Sequence, residues 1–521
     1  MRPSGAFRPY GAFISRAFRS SLALSWSGRS HPRTPRAAAG KDGLTLTPFP
    51  VTLTPFPAQM RVELDSSVQQ LAHRTLLGGR PRRLLRLSAQ GERALRKLSL
   101  GDLRDPGAAA LARRLTDIGL AHPHPACQPL ARRITVVIPV RDRLHHLEHC
   151  LESLPPHVPV CIVDDGSTQK EAVKRLAAAR SATLVRHSRP LGPAAARNAG
   201  LRQVRSELVA FLDSDCTAPP HWLQALIGHF DDPLLLAVAP RVRPLPAEPL
   251  TLVGRYLQAR SPLDLRSRPA RVLPHAPVAY LPSAALIVRR EAVLSGFDED
   301  LRHGEDVDLV WRLCRHGRVR YDPSVEVLHA EPSRLHQMLR RRFAYGTSAG
   351  PLAKRHPQEI APLLVDPLPA LAIALLLAGF PSLAAGIQSQ HLLCSARRLR
   401  TLALPVPLTA RLIAQNAFAL PTLAIARHLA SCWLPVSLSI APPRGRRIIL
   451  AAIVADALLE RRARAASIDP ARWTGLMLAD ELAYGAGVWW GSLKARALRA
   501  LAPVLPRVAI GAERSHPSGA S

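Results

Sequence analysis

The segment Leu208-Val-Ala-Phe-Leu-Asp-Ser-Asp215 constrains this chain more than any other. Five apolar, strand-forming residues run directly into two carboxylates one residue apart. A run that is apolar at every position suits a central strand of a parallel sheet, buried on both faces. Its acidic end then lies at the carboxyl edge of the sheet, where open α/β sheets bind ligands. Strand side chains repeat every second residue, so Asp213 and Asp215 project roughly the same way. Two hard oxygen ligands at such an edge suit Mg²⁺ or Mn²⁺ holding a diphosphate. The plainer alternative is a capped strand end and a turn, since Asp and Ser are common turn residues.

At 521 residues the chain holds two or three domains, and an apolar share of 47% supports a large core. The formal charge of +32 comes almost wholly from arginine and favours anionic partners such as phosphates or acidic lipid surfaces. The same arginine-rich, lysine-poor usage also fits a biased genome composition. Aromatics are only 5%, and no basic stretch interleaves with them, which argues against nucleic acid as a partner. The seven cysteines form no CxxC pair and are odd in number, which argues against a zinc site or disulfide framework and for a reducing cytoplasm.

Residues 1–59 are rich in Arg, Ser, Pro and Gly, repeat Thr-Leu-Thr-Pro-Phe-Pro at 45–50 and 52–57, and read as a disordered extension. Residues 60–128 read as a small separate module. It has short strands at Val62-Glu-Leu and Leu84–Leu87, helical spacing around Ala94–Leu98 and Ala108–Ile118, and a stop at Gly119. Its pattern resembles winged-helix peptide-recognition modules. Residues 129–360 alternate strand and helix: Ile134–Ile138, Val160–Val163, Ala182–Val185 and Leu208–Leu212 are strands, a further strand step falls in 278–290, and a helix starts near Glu305. That alternation predicts a mostly parallel sheet with helices on both faces. Residues 361–503 read as helical. Leu368–Ile387 is uncharged for 20 residues, Leu412–Ala426 and Ile448–Val454 are shorter apolar runs, and Arg397, Arg398, Arg400, Arg444, Arg446 and Arg447 lie between them. Twenty apolar residues just span a bilayer, and shorter runs suit interfacial helices, so membrane association is expected; buried helices of a soluble cap are the alternative. Residues 504–521 read as a disordered tail.

The motifs follow one another in a set order. Ile138-Pro-Val-Arg-Asp142 is followed by Val163-Asp-Asp-Gly-Ser167, Gly192-Pro-Ala-Ala-Ala-Arg-Asn-Ala-Gly200, Asp213-Ser-Asp215, Gly296-Phe-Asp298, Gly304-Glu-Asp-Val-Asp308 and His329. Over about 133–350 this order resembles the inverting family 2 glycosyltransferases, which carry the GT-A nucleotide-diphospho-sugar transferase fold. The resemblance implies that Asp164 or Asp165, beside Pro139, accepts the uracil imide N–H, and that Arg197 faces the nucleotide or its phosphates. It implies that Asp213 holds the ribose and that Asp213, Asp215 and His329 hold the cation. It gives the general-base role to Asp306, with Glu305 beside it. Each has a plain alternative: turn caps for the acids at 164–165, a solvated helix arginine at 197, a structural histidine, and acids complementing a helix dipole at 305–306.

Gln337 with Arg340, Arg341 and Arg342 resembles the family's Gln-x-x-Arg-Trp motif for acceptor and diphosphate; the tryptophan is absent, with Phe343 and Tyr345 the nearby aromatics, which speaks against processive polymerisation. "RSPLDL", "VAYLPSAALIVRR", "GEDVDLVWRL", "YGTSAGPLAKRHP" and "AYGAGVWWG" extend a narrower resemblance, to the glycosyltransferases of the mycofactocin system, over about 61–503. This implies transfer of a hexose, glucose from UDP-glucose, to a peptide-derived redox cofactor, at the cytoplasmic face of the cell membrane. Transfer to a polyprenyl phosphate or cell-wall glycan is the enzymatic alternative. A non-catalytic sugar-nucleotide sensor is another, opposed by the presence of all three acids Asp213, Asp215 and Asp306.

Overall fold

The computed structural model describes residues 54–503, except 72–73, 81, 131–132, 247–249 and 401–405. Of the extension expected over 1–59, residues 1–53 lie outside the described residues, as does the tail expected over 504–521.

The strand Leu208–Leu212 is buried at every residue and sits inside a nine-stranded sheet. On one side it pairs in parallel with Ile134–Val140, which pairs with Val160–Asp164, and that with Thr183–Arg186. This half is the parallel sheet expected from the sequence. The other half is not. Ala285–Arg289 runs antiparallel to Leu208–Leu212, and Leu235–Pro244 runs antiparallel to it in turn. Arg318–His329 then pairs in parallel with Leu235–Pro244 and carries the short edge strands Cys216–Thr217 and Ala270–Arg271. The sheet is therefore mixed. The Asp213 N–H bonds the Ala284 carbonyl at 3.0 Å, so the reversed strand begins where the central strand ends. An apolar run reads alike in both directions, which is why the sequence does not show the reversal.

Helices cover both faces, as expected. Leu144–Glu152, Lys170–Ala179 and Trp222–Ile227 pack on one. Pro193–Gln203 and Glu305–His316 pack on the other.

The N-terminal module pairs Arg61–Leu64 with Ala121–His124 and forms a three-stranded antiparallel sheet from Gln69–Leu71, Thr75–Gly78 and Arg83–Arg86. Its helices are capped as their sequences ask: Ser88 accepts from the Gly91 N–H, and Asp105, before Pro106, accepts from the Ala108 N–H. Phe56 and Met60 are buried in its core. A boundary at residue 59 thus falls inside this core, because Phe56 joins the apolar cluster of the module and its ring lies under Arg113 of the second helix. Arg113 ties the module to the sheet through a fully buried two-bond pair with Asp232, at 2.7 and 2.8 Å.

The C-terminal region is helical. The expected 20-residue apolar run is broken: Pro367–Ala378 stops at Gly379, in the left-handed conformation at φ 93°, and Pro381–Arg400 starts a new helix. No single helix spans Leu368–Ile387. Val406–Ile440 is the one described helical run long and apolar enough to cross a membrane, and 39% of its apolar window is buried inside the protein. It carries two π-helical turns, Gln415–Ala419 and Leu429–Trp433. Proline explains both. Pro421 and Pro435 lack an N–H and crowd the carbonyl four residues earlier, so the ladder widens before each. The carbonyl freed by Pro421, that of Ala417, is taken by Gln388 Nε2 at 2.8 Å.

The last helix, Pro470–Ala495, lies on Leu335–Gly346 and Ala349–Arg355 at backbone contact. A Cβ on Gly487 would sit 2.0 Å from the Phe343 carbonyl oxygen, so this crossing requires glycine. The string "AYGAGVWWG" is thus the seam that fixes the helical region against the catalytic domain.

Candidate active site

The carboxyl edge of the sheet and one helix N-terminus build the site. Asp213 follows the central strand, and Arg197 projects from the helix that packs behind it. Arg197 is 3% exposed and bridges two acids: its Nη2 lies 2.5 Å from Asp213 Oδ1 and its Nη1 lies 2.9 Å from Glu305 Oε1. Burial opposes its charge, yet Asp213 and Glu305 more than compensate and raise its pKa. The solvated-arginine alternative is excluded by this burial.

Gly304 opens the helix Glu305–His316 in the left-handed conformation, φ 82°, with a would-be Cβ 2.8 Å from Ser348. That turn brings Asp306 to face the reversed strand's approach. Its Oδ2 accepts from the Ser283 N–H at 3.3 Å and its Oδ1 from the Val307 N–H at 2.8 Å. Asp306 keeps part of its surface open to the site but is otherwise walled by protein. Burial, and next the neighbouring Glu305 charge, push its carboxyl up to about 7, while Arg197 pulls the other way. Glu305 and Asp306 are adjacent but differ: only Glu305 holds an arginine.

Asp215 pairs with Arg143, and its Oδ1 stands 3.5 Å from His329 Nε2. His329 is buried, and burial lowers its pKa, so the ring is neutral and able to ligate. Its Nδ1 has no hydrogen-bond partner. A carboxylate oxygen beside an unprotonated imidazole nitrogen is a donor set that Mg²⁺ or Mn²⁺ accepts. Among the described residues, no three His, Cys, Asp or Glu side chains gather closely enough to hold a metal; Asp213 is turned to Arg197 instead.

The nucleotide-side acids are spoken for by the protein. Asp165 Oδ1 accepts from the Leu191 N–H and from His187 Nδ1, and its Oδ2 from the Gly192 N–H. Asp164, fully buried, pairs with Arg186 and accepts from the Ser167 N–H at 2.8 Å. Both brace the loops at the strand ends beside Pro139, which is in register with Val163. Gln337 and Arg340 are exposed on the outer side of their helix. Arg341 is drawn in against Glu331, which stands 3.7 Å from His329 Nδ1.

One cavity of about 390 Å³ gathers Arg197, Asp213, Glu305, Asp306 and His329. It leaves Pro139, Asp164, Asp165, Asp215, Gln337, Arg340 and Arg341 outside its lining. It takes in Arg342 and Tyr345 from the degenerate Gln-x-x-Arg region, and also residues that sequence reasoning gave no role: Ser283, His303 and Tyr484. Arg143 was missed as well; a lone arginine in a chain this basic carries no signal.

The family described as Glycosyl transferase family 2 matches residues 135–290. The chain is 38% identical over 461 residues to the pre-mycofactocin glycosyltransferase of Mycobacterium tuberculosis (strain ATCC 25618 / H37Rv), covering 85% of this chain and 97% of that protein. It is 30% identical over 203 residues to the succinoglycan biosynthesis protein ExoO of Rhizobium meliloti (strain 1021), covering 35% of this chain and 55% of that one. A solved structure, the mannosyltransferase PcManGT from Pyrobaculum calidifontis in complex with GDP-Man and Mn²⁺, overlays with a TM-score of 0.38 at 21% identity, over 70% of this chain and 89% of that one. The family match and the mixed sheet with helices on both faces give the GT-A nucleotide-diphospho-sugar transferase fold. The chain is a glycosyltransferase, and it belongs to family 2, within the pre-mycofactocin glycosyltransferases.

Proposed function

We propose that this enzyme transfers glucose from UDP-glucose, with inversion, to a hydroxyl of pre-mycofactocin, a peptide-derived acceptor. The observation that carries the reading is the placement of Asp306 in the same cavity as Asp213 and Arg197, without an arginine partner of its own. A base must face the incoming hydroxyl, and a carboxyl whose affinity for protons is raised toward neutrality takes that proton more readily than an ordinary aspartate. Glu305, held by Arg197, positions the arginine rather than moving a proton. Arg197 offers a cationic edge to the donor. Mg²⁺ or Mn²⁺, held by Asp215 and His329, would neutralise charge on the departing diphosphate when bound, and Asp213 would join them only on leaving Arg197. Asp164 and Asp165 shape the uridine end by fixing the loops around Ser167 and Leu191.

The test is incubation of the purified enzyme with UDP-glucose, a divalent cation and pre-mycofactocin. The reading predicts a product heavier by one hexose and loss of product with chelator. No mass gain with UDP-glucose, but gain with another nucleotide sugar, would replace the donor; no gain with any donor would remove the acceptor.

We further propose that the C-terminal helices bring the enzyme to the cytoplasmic membrane surface. Phe380 and Leu383, at the hairpin apex, are 55% and 60% exposed, and Ile440 is 80% exposed. Gly445 packs on the Leu377 carbonyl, so the apex lies beside the exposed Arg444, Arg446 and Arg447. Apolar side chains rimmed by arginines suit an anionic lipid surface. Flotation with anionic vesicles and none with neutral vesicles is expected; equal flotation in both removes the electrostatic part.

A further inference from the structure

The catalytic domain makes only part of the cavity. The wall away from Arg197 and Asp213 is supplied by the C-terminal helices, through His428, Ser431, Tyr484 and Val488. No catalytic motif reaches this wall.

His428 is 7% exposed, and its Nε2 has no hydrogen-bond partner among the described residues. The Leu501 backbone interacts with the same ring. With the ring proton on Nδ1, Nε2 offers a lone pair to the cavity. Buried polar atoms are paired in folded proteins, so one left open at a cavity wall asks for a ligand atom.

The local backbone supports the same reading. The π-helical turn Leu429–Trp433 begins at the next residue, and such turns are frequent at functional sites. It is clamped rather than loose. Trp489 Nε1 donates to the Cys432 carbonyl at 2.6 Å, and Trp433 Nε1 donates to the Leu501 carbonyl at 3.2 Å. Gly485 abuts the Ser431 carbonyl so closely that a Cβ would stand 1.5 Å from it. The charges near this wall are already matched: Arg342 pairs with Asp480 at 2.5 Å, and Glu359 with Arg315 at 2.6 Å. Leu352, Ile360 and Leu364 line the same cavity, together with the uncharged polar side chains of Tyr280, Tyr345 and Ser348.

We infer that this wall is the acceptor subsite, and that His428 Nε2 accepts a hydrogen bond from an N–H or O–H of an uncharged acceptor body lying between His428 and Asp306. The inference rests on the function proposed above and adds a residue that sets acceptor affinity. It also explains why the helical region is locked to the catalytic domain by backbone contact: the two must keep a fixed distance for one acceptor to touch both.

The test separates acceptor binding from donor handling. Transfer to pre-mycofactocin and acceptor-free hydrolysis of UDP-glucose are measured for the full chain and for two variants. His428→Leu removes the lone pair at similar volume; His428→Gln restores an acceptor oxygen. Loss of one net hydrogen bond raises acceptor KM by about tenfold in the leucine variant. The glutamine variant stays within a few-fold of the original, and both hydrolyse UDP-glucose at the original rate. Unchanged acceptor KM in His428→Leu overturns the inference, as does an equal rise in both variants. A measurement on the unmodified chain stands apart from any folding defect: the His428 Nε2 nitrogen resonance shifts upfield when pre-mycofactocin is added, and no shift at saturation overturns the inference. Failure of the unmodified enzyme to transfer at all breaks the proposed function; transfer with an indifferent His428 breaks this inference alone.

Discussion

Two sets of acids lie in and beside one cavity and live in opposite surroundings. At the sheet edge, Asp213 meets Arg197 and Asp215 meets Arg143 and His329. At the helix N-terminus, Asp306 meets two backbone N–H groups and a like-charged neighbour. The side-chain chemistry is identical; the company differs. The acids beside cations are tied into ion pairs, and the acid without an arginine of its own has its affinity for protons raised. The division of labour is thus written by the second residue at each place, not by the carboxylate.

The comparison breaks most visibly if Asp306 is disposable. Asp306→Asn should lower the transfer rate by about 10²–10⁴-fold, the usual contribution of a general base. Donor affinity, measured by calorimetry, should stay near the original. Retained turnover removes Asp306 from the chemistry.

Next in size is Arg197→Ala, which leaves the buried Glu305 and the partly exposed Asp213 around a missing cation. Breaking a buried pair costs about 3–5 kcal/mol, so thermal unfolding should fall markedly and donor binding with it. A melting point like the original's would mean that the two acids are solvated rather than held.

The pH limb sharpens the comparison further. Asp306 must be ionised to act as base, so transfer should rise with pH through about 7 and level off above it. Arg197→Lys, if it folds, should move this limb to higher pH where the lysine reaches Asp306 less well than the guanidinium, because Arg197 is what holds the Asp306 pKa down. A limb centred near 4 contradicts the claim.

The smallest effect is on stability. The folded-state pKa of Asp306 lies above its ordinary value of 3.8, so folding takes up a proton. Stability is then lost as pH rises from about 4 to about 7 and stays lost above that. Asp306→Asn should therefore melt higher than the original at pH 8, with no gain at pH 3.5. An equal gain at both values points to packing instead of charge.

Much of this was legible beforehand. An all-apolar strand ending in acids has few other uses, and the helix-opening Gly304-Glu-Asp placed Asp306 at a helix N-terminus as found. What was hidden lies in long-range pairing. Arg143 reaches Asp215 across 72 positions, and nothing local marks it. Asp164 and Asp165 read as nucleotide ligands, yet their oxygens are taken up by loop N–H groups whose positions only the folded backbone defines. The apolar stretch at 368–387 read as a span because hydropathy does not register that Gly379 turns left-handed. His428 gave no signal at all, since its neighbours in space are a turn made by Pro435 and a carbonyl at Leu501.

The most direct test of the contrast between the two places is a carbon-13 titration of the Asp306 carboxyl, assigned by its loss in Asp306→Asn. The account predicts a midpoint near 7 in the donor-free enzyme. A midpoint near 4, the value of an ordinary aspartate, would contradict it.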